Sequence, residues 1–515
     1  MTQEQGPTRM QMACDAGTRD NPFDQSGLLR GSDGLLHYAD GPDTFVEGLE
    51  LVARDRSDVV ALIDADDRTF SYAELWEQSA RVAGGLVAAG VRPGDRVAVD
   101  LPNSAELVLV MLGTLLAGAV TVPIDQRADE ATRRAVLGDT DPAVVVDHST
   151  ALPSGRPTSV DVASGDLAQL LYTSGTTGEP KGVMADQNNL ASLGEITRRV
   201  LALEMDDGPR VNYLVAMPLC HAAGCNAQLL PTLALGGTAV LTCSTSAPDV
   251  VAVARRHGSD TMLAVPAVYQ LLVEREPAAL QELTSLKRMI YGAAPVSESL
   301  IKALRELAPH VQLGNAFGMT EISNMALFLP DPLTLSHHDS VGFPVPGVEV
   351  TLHNVDDRGH GELFLRGPNM ARGYWRKPEL TAEAFGGGWV RSGDIAEVDE
   401  HGLVYVRDRT KDVINRGGEK IYTLQVENAL LSHPAVAEAA VVPVPDEVMG
   451  EKVGAIVVPH EGMMVSGSAL TDHVAMLLPR FAVPERLVTR DTVLPRGGSG
   501  KILKAQLRRE LGWGG

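Results

Sequence analysis

The stretch 170–182, which reads LLYTSGTTGEPKG, constrains the fold and function of this chain more than any other feature. A short apolar run leads into a loop of glycines and hydroxyl residues, which ends in Pro180, Lys181 and Gly182. Glycine lets the backbone approach an anion closely, and a strand entering such a loop turns backbone N–H groups toward phosphate. A flexible linker is the alternative for a Gly/Ser/Thr cluster. The strand-like lead-in and the Pro-Lys-Gly ending favour a phosphate-binding loop.

The same stretch resembles the phosphate loop of the adenylate-forming superfamily, which contains acyl-CoA synthetases, adenylation domains of peptide synthetases and luciferases. It differs from the G-x-x-x-x-G-K-[ST] motif, because no Ser or Thr follows Lys181. The resemblance implies ATP-dependent activation of an acid as an acyl-adenylate, with Mg²⁺ as cofactor. It assigns ATP contacts to Thr173, Ser174, Gly175, Thr176, Thr177, Gly178 and Lys181.

The second nucleotide motif of that superfamily is similar to residues 315–321, which read NAFGMTE. The resemblance implies that Phe317 packs on adenine, Thr320 contacts the α-phosphate and Glu321 holds Mg²⁺, which prefers hard oxygen ligands. A solvated Thr-Glu pair at a helix start is the alternative for these two residues alone. The nucleotide contacts implied here are Asn315, Ala316, Phe317, Gly318, Met319 and Thr320.

Further motifs of the superfamily follow in the chain. Gly292, Ala293, Ala294 and Pro295 are similar to the loop that surrounds adenine. The resemblance implies that Asp394 accepts the ribose hydroxyls, that Val406 lies beside the nucleotide, that Arg409 also reaches the ribose and that Lys411 occupies a hinge.

Lys501, in the late segment LPRGGSGK, is similar to the catalytic lysine of the superfamily. Attack of a carboxylate on the α-phosphorus brings two anions together, and a positioned ammonium offsets the charge that accumulates. A lysine on a flexible stem can arrive with a mobile domain. We therefore expect two working orientations of the C-terminal domain, one for adenylation and one that admits a thiol.

Coenzyme A is the first acceptor that the resemblance implies, because Gly417, Gly418 and Glu419 are similar to the loop beside the pantetheine tunnel. Two residues depart from the common pattern there, since Lys420 and Thr423 stand where Asn and Pro are commonest. The alternative is a stand-alone enzyme that passes its adenylate to a free carrier protein or another nucleophile. A catalytically silent binder is disfavoured, because Lys501, Glu321 and Asp394 are all present.

His221 fits the position of a pocket histidine between the acid and the thiol route, and a buried structural histidine is the alternative. Residues 219–224 contain no Asp to pair with an α-ammonium, which favours an acid without an α-amino group. A fatty acid, an aryl acid and another small oxyanion all stay open as substrates. The resemblance therefore assigns catalysis to Lys501, Thr320, Glu321 and His221.

Composition narrows the class of protein further. The net charge of −22 argues against a nucleic-acid surface and against binding to anionic lipid. Four cysteines in 515 residues are too few for a disulfide scaffold, so we expect a cytoplasmic protein. Cys220, His221 and Cys225 raise the alternative of a metal site, but no second ligand pair with zinc spacing follows, which favours buried thiols.

Strand-like and helical patterns alternate through the first two thirds of the chain, which predicts layered α/β sheets. Ser71 and Glu74 predict a capped helix start, and the uncharged run 107–124 predicts a buried helix followed by a buried strand rather than a membrane span. Short strands after residue 341 predict a small antiparallel barrel. We expect a polar tail over 1–35, an adenylation domain over 36–408, a hinge at 409–412 and a mobile α+β domain over 413–515.

Overall fold

The computed structural model describes residues 13–14, 20–174, 179–203, 211–244, 246–496 and 502–514. Mixed α/β sheets form the larger, N-terminal part of the chain, and a smaller α+β unit follows, so the predicted fold class is confirmed.

The N-terminal region folds as two antiparallel strand pairs and a mixed sheet with helices. Its elements are β1 (Ala13–Cys14), β2 (Leu28–Arg30), β3 (Leu36–Tyr38), α1 (Phe45–Asp55), β4 (Val60–Ile63), β5 (Thr69–Ser71), α2 (Tyr72–Ala88), β6 (Arg96–Asp100), α3 (Ala105–Leu116), β7 (Val120–Pro123), α4 (Glu130–Thr140), β8 (Val144–Asp147), β9 (Leu167–Ser174), β10 (Pro180–Asp186) and α5 (Gln187–Val200).

Two local predictions for this region are confirmed. Ser71 and Glu74 form both hydrogen bonds of a capping box at the start of α2. The uncharged run folds as the fully buried helix α3 and then the buried strand β7. No helix among the described residues is long and apolar enough to cross a bilayer.

Strands β6 to β10 form a five-stranded sheet in the order β10-β9-β7-β6-β8. Strands β6, β7 and β8 run parallel, whereas β9 and β10 form an antiparallel hairpin in which Thr173 pairs with Lys181. The predicted phosphate loop therefore connects two paired strands at the edge of this sheet.

The central region builds a second sheet. Its elements are β11 (Asn212–Val215), α6 (Ala222–Gly224), α7 (Leu230–Ala234), β12 (Thr238–Leu241), α8 (Ala247–His257), β13 (Thr261–Ala264), α9 (Pro266–Arg275), α10 (Pro277–Gln281), β14 (Arg288–Gly292), α11 (Glu298–Leu307), β15 (Gln312–Met319), β16 (Asn324–Leu329) and β17 (Phe343–Pro344). With β4 and β5 these strands form a nine-stranded sheet in the order β17-β16-β15-β14-β13-β11-β12-β4-β5. A π-helical turn, Cys225–Leu229, separates α6 from α7.

The region after residue 344 is antiparallel, as predicted. It contains β18 (Glu349–His353), β19 (Gly361–Arg366), α12 (Pro378–Ala384), β20 (Val390–Val398) and β21 (Val404–Arg409). The order β1-β18-β19-β20-β21 is an open five-stranded sheet over the described residues, where the sequence predicts a small barrel.

The C-terminal unit packs helices against an antiparallel ribbon. Its elements are β22 (Ile414–Arg416), β23 (Glu419–Ile421), α13 (Thr423–Leu431), β24 (Val436–Asp446), β25 (Gly450–Pro459), α14 (Gly467–Leu477), β26 (Arg486–Thr489) and α15 (Lys504–Glu510). Residues from β22, α13, β24, β25 and α14 share one apolar core.

Part of the segment predicted to be a polar tail packs against the sheet of β18. Strand β1 pairs with β18, and Arg30 forms two hydrogen bonds of 2.8 and 3.0 Å with Glu349. Arg366 holds the same carboxylate from the other side at 2.8 and 3.0 Å. Burial opposes ionisation of Glu349, but these hydrogen bonds outweigh it and lower the pKa of the carboxyl group.

We predict that Glu349→Ala lowers the free energy of unfolding by about 3 kcal/mol, because two guanidinium groups lose the buried carboxylate that compensates them. Urea unfolding measures the loss. Glu50→Ala, at an exposed position on α1, is the control and should change stability little. An equal effect in both variants would contradict the importance of this contact.

Candidate active site

Strands β9 and β10, which flank the predicted phosphate loop, are called the phosphate hairpin below. This hairpin pairs with the segment 371–375. The backbone N–H of Trp375 donates a 2.8 Å hydrogen bond to the Gly182 carbonyl oxygen, and the N–H of Met184 donates a 2.9 Å hydrogen bond to the Gly373 carbonyl oxygen. This pairing places the ring of Tyr374 under Lys181, whose Nζ lies 5.3 Å from the ring centroid. A cation over an aromatic face is attracted to it, so the ring orients the ammonium.

Tyr374 also contacts the residue predicted to hold magnesium. Its hydroxyl donates a 2.8 Å hydrogen bond to Glu321 Oε1. Burial, followed by the charge of the Glu321 carboxylate, raises the pKa of Tyr374, so the phenol stays protonated and acts as a donor. Lys181, Tyr374 and Glu321 thus form one connected group beside the phosphate hairpin.

Glu321 reaches this position because β15 bulges and then ends in a 3₁₀ turn, Thr320–Ile322. The register shifts between Phe317 and Gly318. A Cβ on Gly318 would lie 1.7 Å from the carbonyl oxygen of Asn324, so this backbone contact requires glycine. Strand β15 carries residues 315–319 at its carboxyl end, before the chain turns.

The predicted adenine loop follows the neighbouring parallel strand. Strand β14 ends at Gly292, which pairs with Ala316 of β15. A Cβ on Gly292 would lie 2.3 Å from the Ala316 carbonyl oxygen, so only glycine allows this approach. Ala293 then adopts a left-handed φ of 63°, and Ala293 and Pro295 are exposed while Ala294 is half-buried. The loop and the second motif therefore lie side by side at the carboxyl ends of two parallel strands, where α/β folds bind ligands.

The other residues of the second motif have distinct surroundings. Asn315 is buried and donates a 2.9 Å hydrogen bond to the Ser340 carbonyl oxygen. Ala316, Phe317 and Met319 are half-buried and pack on the apolar core that includes β16 and β18. Thr320 is half-buried at the start of the 3₁₀ turn.

The predicted ribose pair assembles across two antiparallel strands. Asp394 of β20 pairs with Arg409 of β21, and Arg409 Nε lies 2.8 Å from Asp394 Oδ1. Asp394 is buried, whereas the Arg409 side chain is 40% exposed. A left-handed Gly393 turns the chain before Asp394. Val406, on the same strand as Arg409, is half-buried.

His221 contacts two residues that sequence analysis did not single out. Its Nε2 lies 3.3 Å from Arg127 Nη2 and 3.4 Å from Asp125 Oδ2. Burial would raise the pKa of Asp125, but His221 and Arg127 outweigh it and hold that pKa well below its usual range. Asp125 and Arg127 follow β7 directly, at the carboxyl end of a parallel strand, and that placement is the signal that could have found them.

The charge of Arg127 disfavours a metal site at Cys220, His221 and Asp125. Cys220, His221 and Asp125 offer ligand atoms within 4.8 Å of one another. Arg127, however, binds the Asp125 carboxylate at 3.1 Å, and burial raises the pKa of the Cys220 thiol to about 12. A neutral thiol beside a guanidinium is a poor cation site, because metal ligation needs the thiolate. Cys225, also proposed as a ligand, is buried and accepts a hydrogen bond from Gln169.

The residues predicted for the hinge and for the loop beside the thiol tunnel are on the surface. Lys411, Gly417, Gly418 and Glu419 are exposed, and both glycines have positive φ. Gly175, Thr176, Thr177, Gly178 and Lys501 lie outside the described residues, as does the side chain of Ser174. Thr173 is half-buried at the end of β9.

The side chains fit ATP and Mg²⁺ on the chemistry of their donors. Glu321 offers a carboxylate held by a tyrosine, which suits a hard cation. Lys181 brings a positive charge to the phosphate hairpin, and Asp394 brings a buried acceptor for hydroxyl groups. Gly292 and Gly318 let the ends of β14 and β15 pack closely against neighbouring backbone carbonyl groups.

Tyr374 is a further residue that sequence analysis missed. No local pattern marks it, because it reaches Glu321 only through the pairing of its segment with β10.

Comparisons with known proteins identify the family of this chain. Residues 49–159 and 147–375 match the family model described as AMP-binding enzyme, and residues 425–501 match the model of its C-terminal domain. The chain belongs to this family of AMP-binding enzymes, and the resemblance to adenylate-forming enzymes is confirmed.

Individual relatives are acid-activating ligases. Feruloyl-CoA synthase of an Amycolatopsis species is 36% identical over 468 residues, which cover 86% of this chain and 94% of that protein. The fatty acid–acyl-carrier-protein ligase ScoC of Streptomyces coeruleorubidus is 33% identical, with coverage of 87% and 93%. The o-succinylbenzoate CoA synthetase MenE of Bacillus subtilis, solved with its acyl-adenylate intermediate OSB-AMP, has a TM-score of 0.80 at 30% identity, covering 90% of this chain and 97% of its own.

We predict that Tyr374→Phe weakens magnesium-dependent activity by about tenfold, because loss of a partner that orients a metal ligand typically has an effect of this size. The measurement is the Mg²⁺ concentration that gives half-maximal pyrophosphate release. Tyr38→Phe is the matched control, since its hydroxyl bonds to Pro346 away from the site. An unchanged Mg²⁺ dependence in Tyr374→Phe would contradict the orienting role.

A pH prediction follows from Asp408, the buried residue before Arg409. Burial, opposed by Lys504 and by hydrogen bonds from Thr423, raises the pKa of Asp408 from 3.8 to about 6. Between those values the folded protein holds a proton that the unfolded chain has released, so stability falls as the pH rises through about 6. In Asp408→Asn, the fall in stability with rising pH that Asp408 causes should disappear. The comparison is the difference in urea midpoint between about pH 5 and about pH 7.5; an equal difference in both proteins would contradict the shift.

Proposed function

We propose that this protein activates a carboxylic acid with ATP, releases pyrophosphate, and transfers the acyl group from the adenylate to the thiol of coenzyme A. The contact of Tyr374 with both Lys181 and Glu321 carries the proposal, because it joins a phosphate hairpin to a magnesium-type carboxylate. The names of feruloyl-CoA synthase and MenE support a coenzyme A acceptor.

In the first half-reaction, an oxygen of the substrate carboxylate attacks the α-phosphorus of ATP, and pyrophosphate leaves. Lys181, Thr320 and Lys501 offset the negative charge that develops, and each such donor contributes roughly 10²–10³-fold in rate. Bound Mg²⁺ would neutralise phosphate charge, and Glu321 would hold it. Asp394 and Arg409 fix the ribose, so that the α-phosphorus stays in place.

In the second half-reaction, the thiol sulfur attacks the acyl carbonyl carbon, its proton goes to solvent or to a nearby base, and AMP leaves. His221 lies beside Asp125 and Arg127, and we assign it to the acid and thiol route. Residues 413–515 would turn about the hinge at 409–412, relative to residues 36–408, between the two steps. Gly417, Gly418 and Glu419 would then border the thiol chain.

The acid is proposed to be a monocarboxylate with an apolar body. A small cleft between α5 and the central sheet is lined mainly by apolar side chains, among them Tyr213, Ile290 and Phe328. Among the described residues its lining includes the polar Thr197 and Asn324 and no charged side chain. A second carboxylate buried there would lack a compensating charge. Asp125 lies near His221, but Arg127 already pairs with it, so it is not a free partner for an α-ammonium.

A carrier protein is the second candidate acceptor, because the similar protein ScoC is named a fatty acid–acyl-carrier-protein ligase. The departures at Lys420 and Thr423 fall in the proposed thiol loop and leave this candidate open. We place the reaction in the cytoplasm, where ATP and coenzyme A are available.

The test is pyrophosphate release with matched acids, namely fatty acids, dicarboxylates of the same length, cinnamate-type acids and amino acids, each with and without coenzyme A. The proposal predicts release with monocarboxylates and a thioester when coenzyme A is present. Release that coenzyme A does not accelerate would favour the carrier protein. No release with any acid would contradict the function.

We predict that Lys501→Ala abolishes adenylate formation but spares ATP binding, because the lysine acts on charge that appears only in the transition state. ATP–pyrophosphate exchange measures the first quantity and calorimetric titration of ATP the second. Lys302→Ala is the control, since Lys302 pairs with Glu298 on an exposed helix. Unchanged exchange in Lys501→Ala would overturn its role.

A further inference from the structure

A buried polar cluster joins the last strand before the hinge to the C-terminal unit. Asp408, at 4% exposure, accepts hydrogen bonds from the backbone N–H of Thr423 and from its hydroxyl, the latter at 2.9 Å. It also accepts the backbone N–H of Arg409 at 2.7 Å. The first two contacts cross the proposed hinge, because Asp408 lies in β21, next to its last residue, and Thr423 begins α13.

The cluster continues into the terminal helix. Lys504 Nζ donates a 2.9 Å hydrogen bond to Thr423 Oγ1 and lies 2.8 Å from Glu427 Oε1. Glu427 is buried and accepts the backbone N–H of Val441 at 2.7 Å. A hydroxyl can donate once and accept twice, so Thr423 can donate to Asp408 and accept from Lys504 together. One continuous path therefore runs from Asp408 to Glu427.

The hydrogen-bonded path depends on Thr423, a residue at which this chain departs from the common pattern. Proline, the commonest residue at this place in the enzymes that the sequence resembles, has neither a backbone N–H nor a hydroxyl. A proline at 423 would remove both hydrogen bonds to Asp408 and the acceptor for Lys504. The departure from the common pattern is thus the residue on which the cluster depends.

The cluster resists any change in the orientation of the C-terminal unit. The ammonium of Lys504 pairs with the buried Glu427, and its charge also acts on the buried Asp408. Separation of Asp408 from Thr423 would leave polar groups buried without partners. The neighbouring residue adds a second contact, since the Tyr422 hydroxyl lies 3.1 Å from His360 Nδ1 and 3.4 Å from Asp356 Oδ2. Both contacts join the C-terminal unit to the sheet of β18–β21.

We propose that Thr423 and Lys504 are positioning residues that hold the C-terminal unit in the orientation described here. Lys504 follows Lys501 by three residues, so an anchor at Lys504 limits where Lys501 can move. The cluster sets the balance between adenylate formation and acyl transfer. This role rests on the proposed function, in which the two half-reactions use different orientations.

Thr423→Pro tests the role without breaking the helix. Thr423 is the first residue of α13, where proline is tolerated, and Tyr422 has the extended backbone that precedes proline readily. Thr423→Val keeps the N–H and removes only the hydroxyl. Thr471→Val, on α14 of the same unit, is the matched control, since its hydroxyl bonds only within that helix.

The readouts are ATP–pyrophosphate exchange and single-turnover transfer of the acyl group from preformed adenylate to coenzyme A. Thr423→Pro should change the two rates in opposite directions and shift their ratio by about tenfold, the size expected for loss of hydrogen bonds to a charged group. Thr423→Val should shift the ratio less, and Thr471→Val not at all. Equal loss of both rates, or an unchanged ratio, would overturn the role.

Trypsin cleavage of the free protein gives a readout that does not need activity. Lys411 is exposed in the proposed hinge, and release of the C-terminal unit should speed cleavage after it by several-fold in Thr423→Pro under conditions in which the variant stays folded. Unchanged cleavage would contradict the positioning role. Absence of pyrophosphate exchange in the unsubstituted protein would instead contradict the proposed function, so the two failures are distinguishable.

Discussion

The hydrogen bond from Tyr374 to Glu321 is the contact on which the candidate active site depends. Its donor belongs to a segment paired with the phosphate hairpin, and its acceptor follows the bulge at the end of β15. The ring of the same tyrosine lies under Lys181. One side chain therefore sets the spacing between a cation for phosphate and a carboxylate for metal, across three parts of the chain that are distant in sequence.

Glycines at two strand ends make the rest of this arrangement possible. Gly292 and Gly318 face backbone carbonyl oxygens at distances that no Cβ could occupy. The strands β14 and β15 can thus end side by side and release two loops at the same edge of the sheet. Asp394 and Arg409 complete the site from an antiparallel sheet, where cross-strand pairing fixes their contact.

Features written in contiguous residues could be predicted from the sequence. The capping box at Ser71, the buried helix α3 and the motifs around Glu321 and Asp394 each depend on neighbours within a few positions. Tyr374 could not be found this way, because it meets Glu321 only after distant strands pair. For Asp125 and Arg127 the only local signal is their place after a buried strand, and their contact with His221 forms only in the fold. The contact of Arg30 with Glu349 was missed for the same reason, since a polar segment gives no local sign of a buried partner 319 residues away.

Acid activation through attack on the α-phosphorus is the central claim, and isotope transfer tests it most directly. A monocarboxylate that supports turnover is supplied with ¹⁸O in its carboxyl group, and the products are analysed by mass spectrometry after acyl transfer. Transfer of one ¹⁸O atom into AMP is the predicted result, because the adenylate keeps that oxygen on phosphorus when the acyl group leaves. Label in inorganic phosphate, or none in any nucleotide product, would contradict the account.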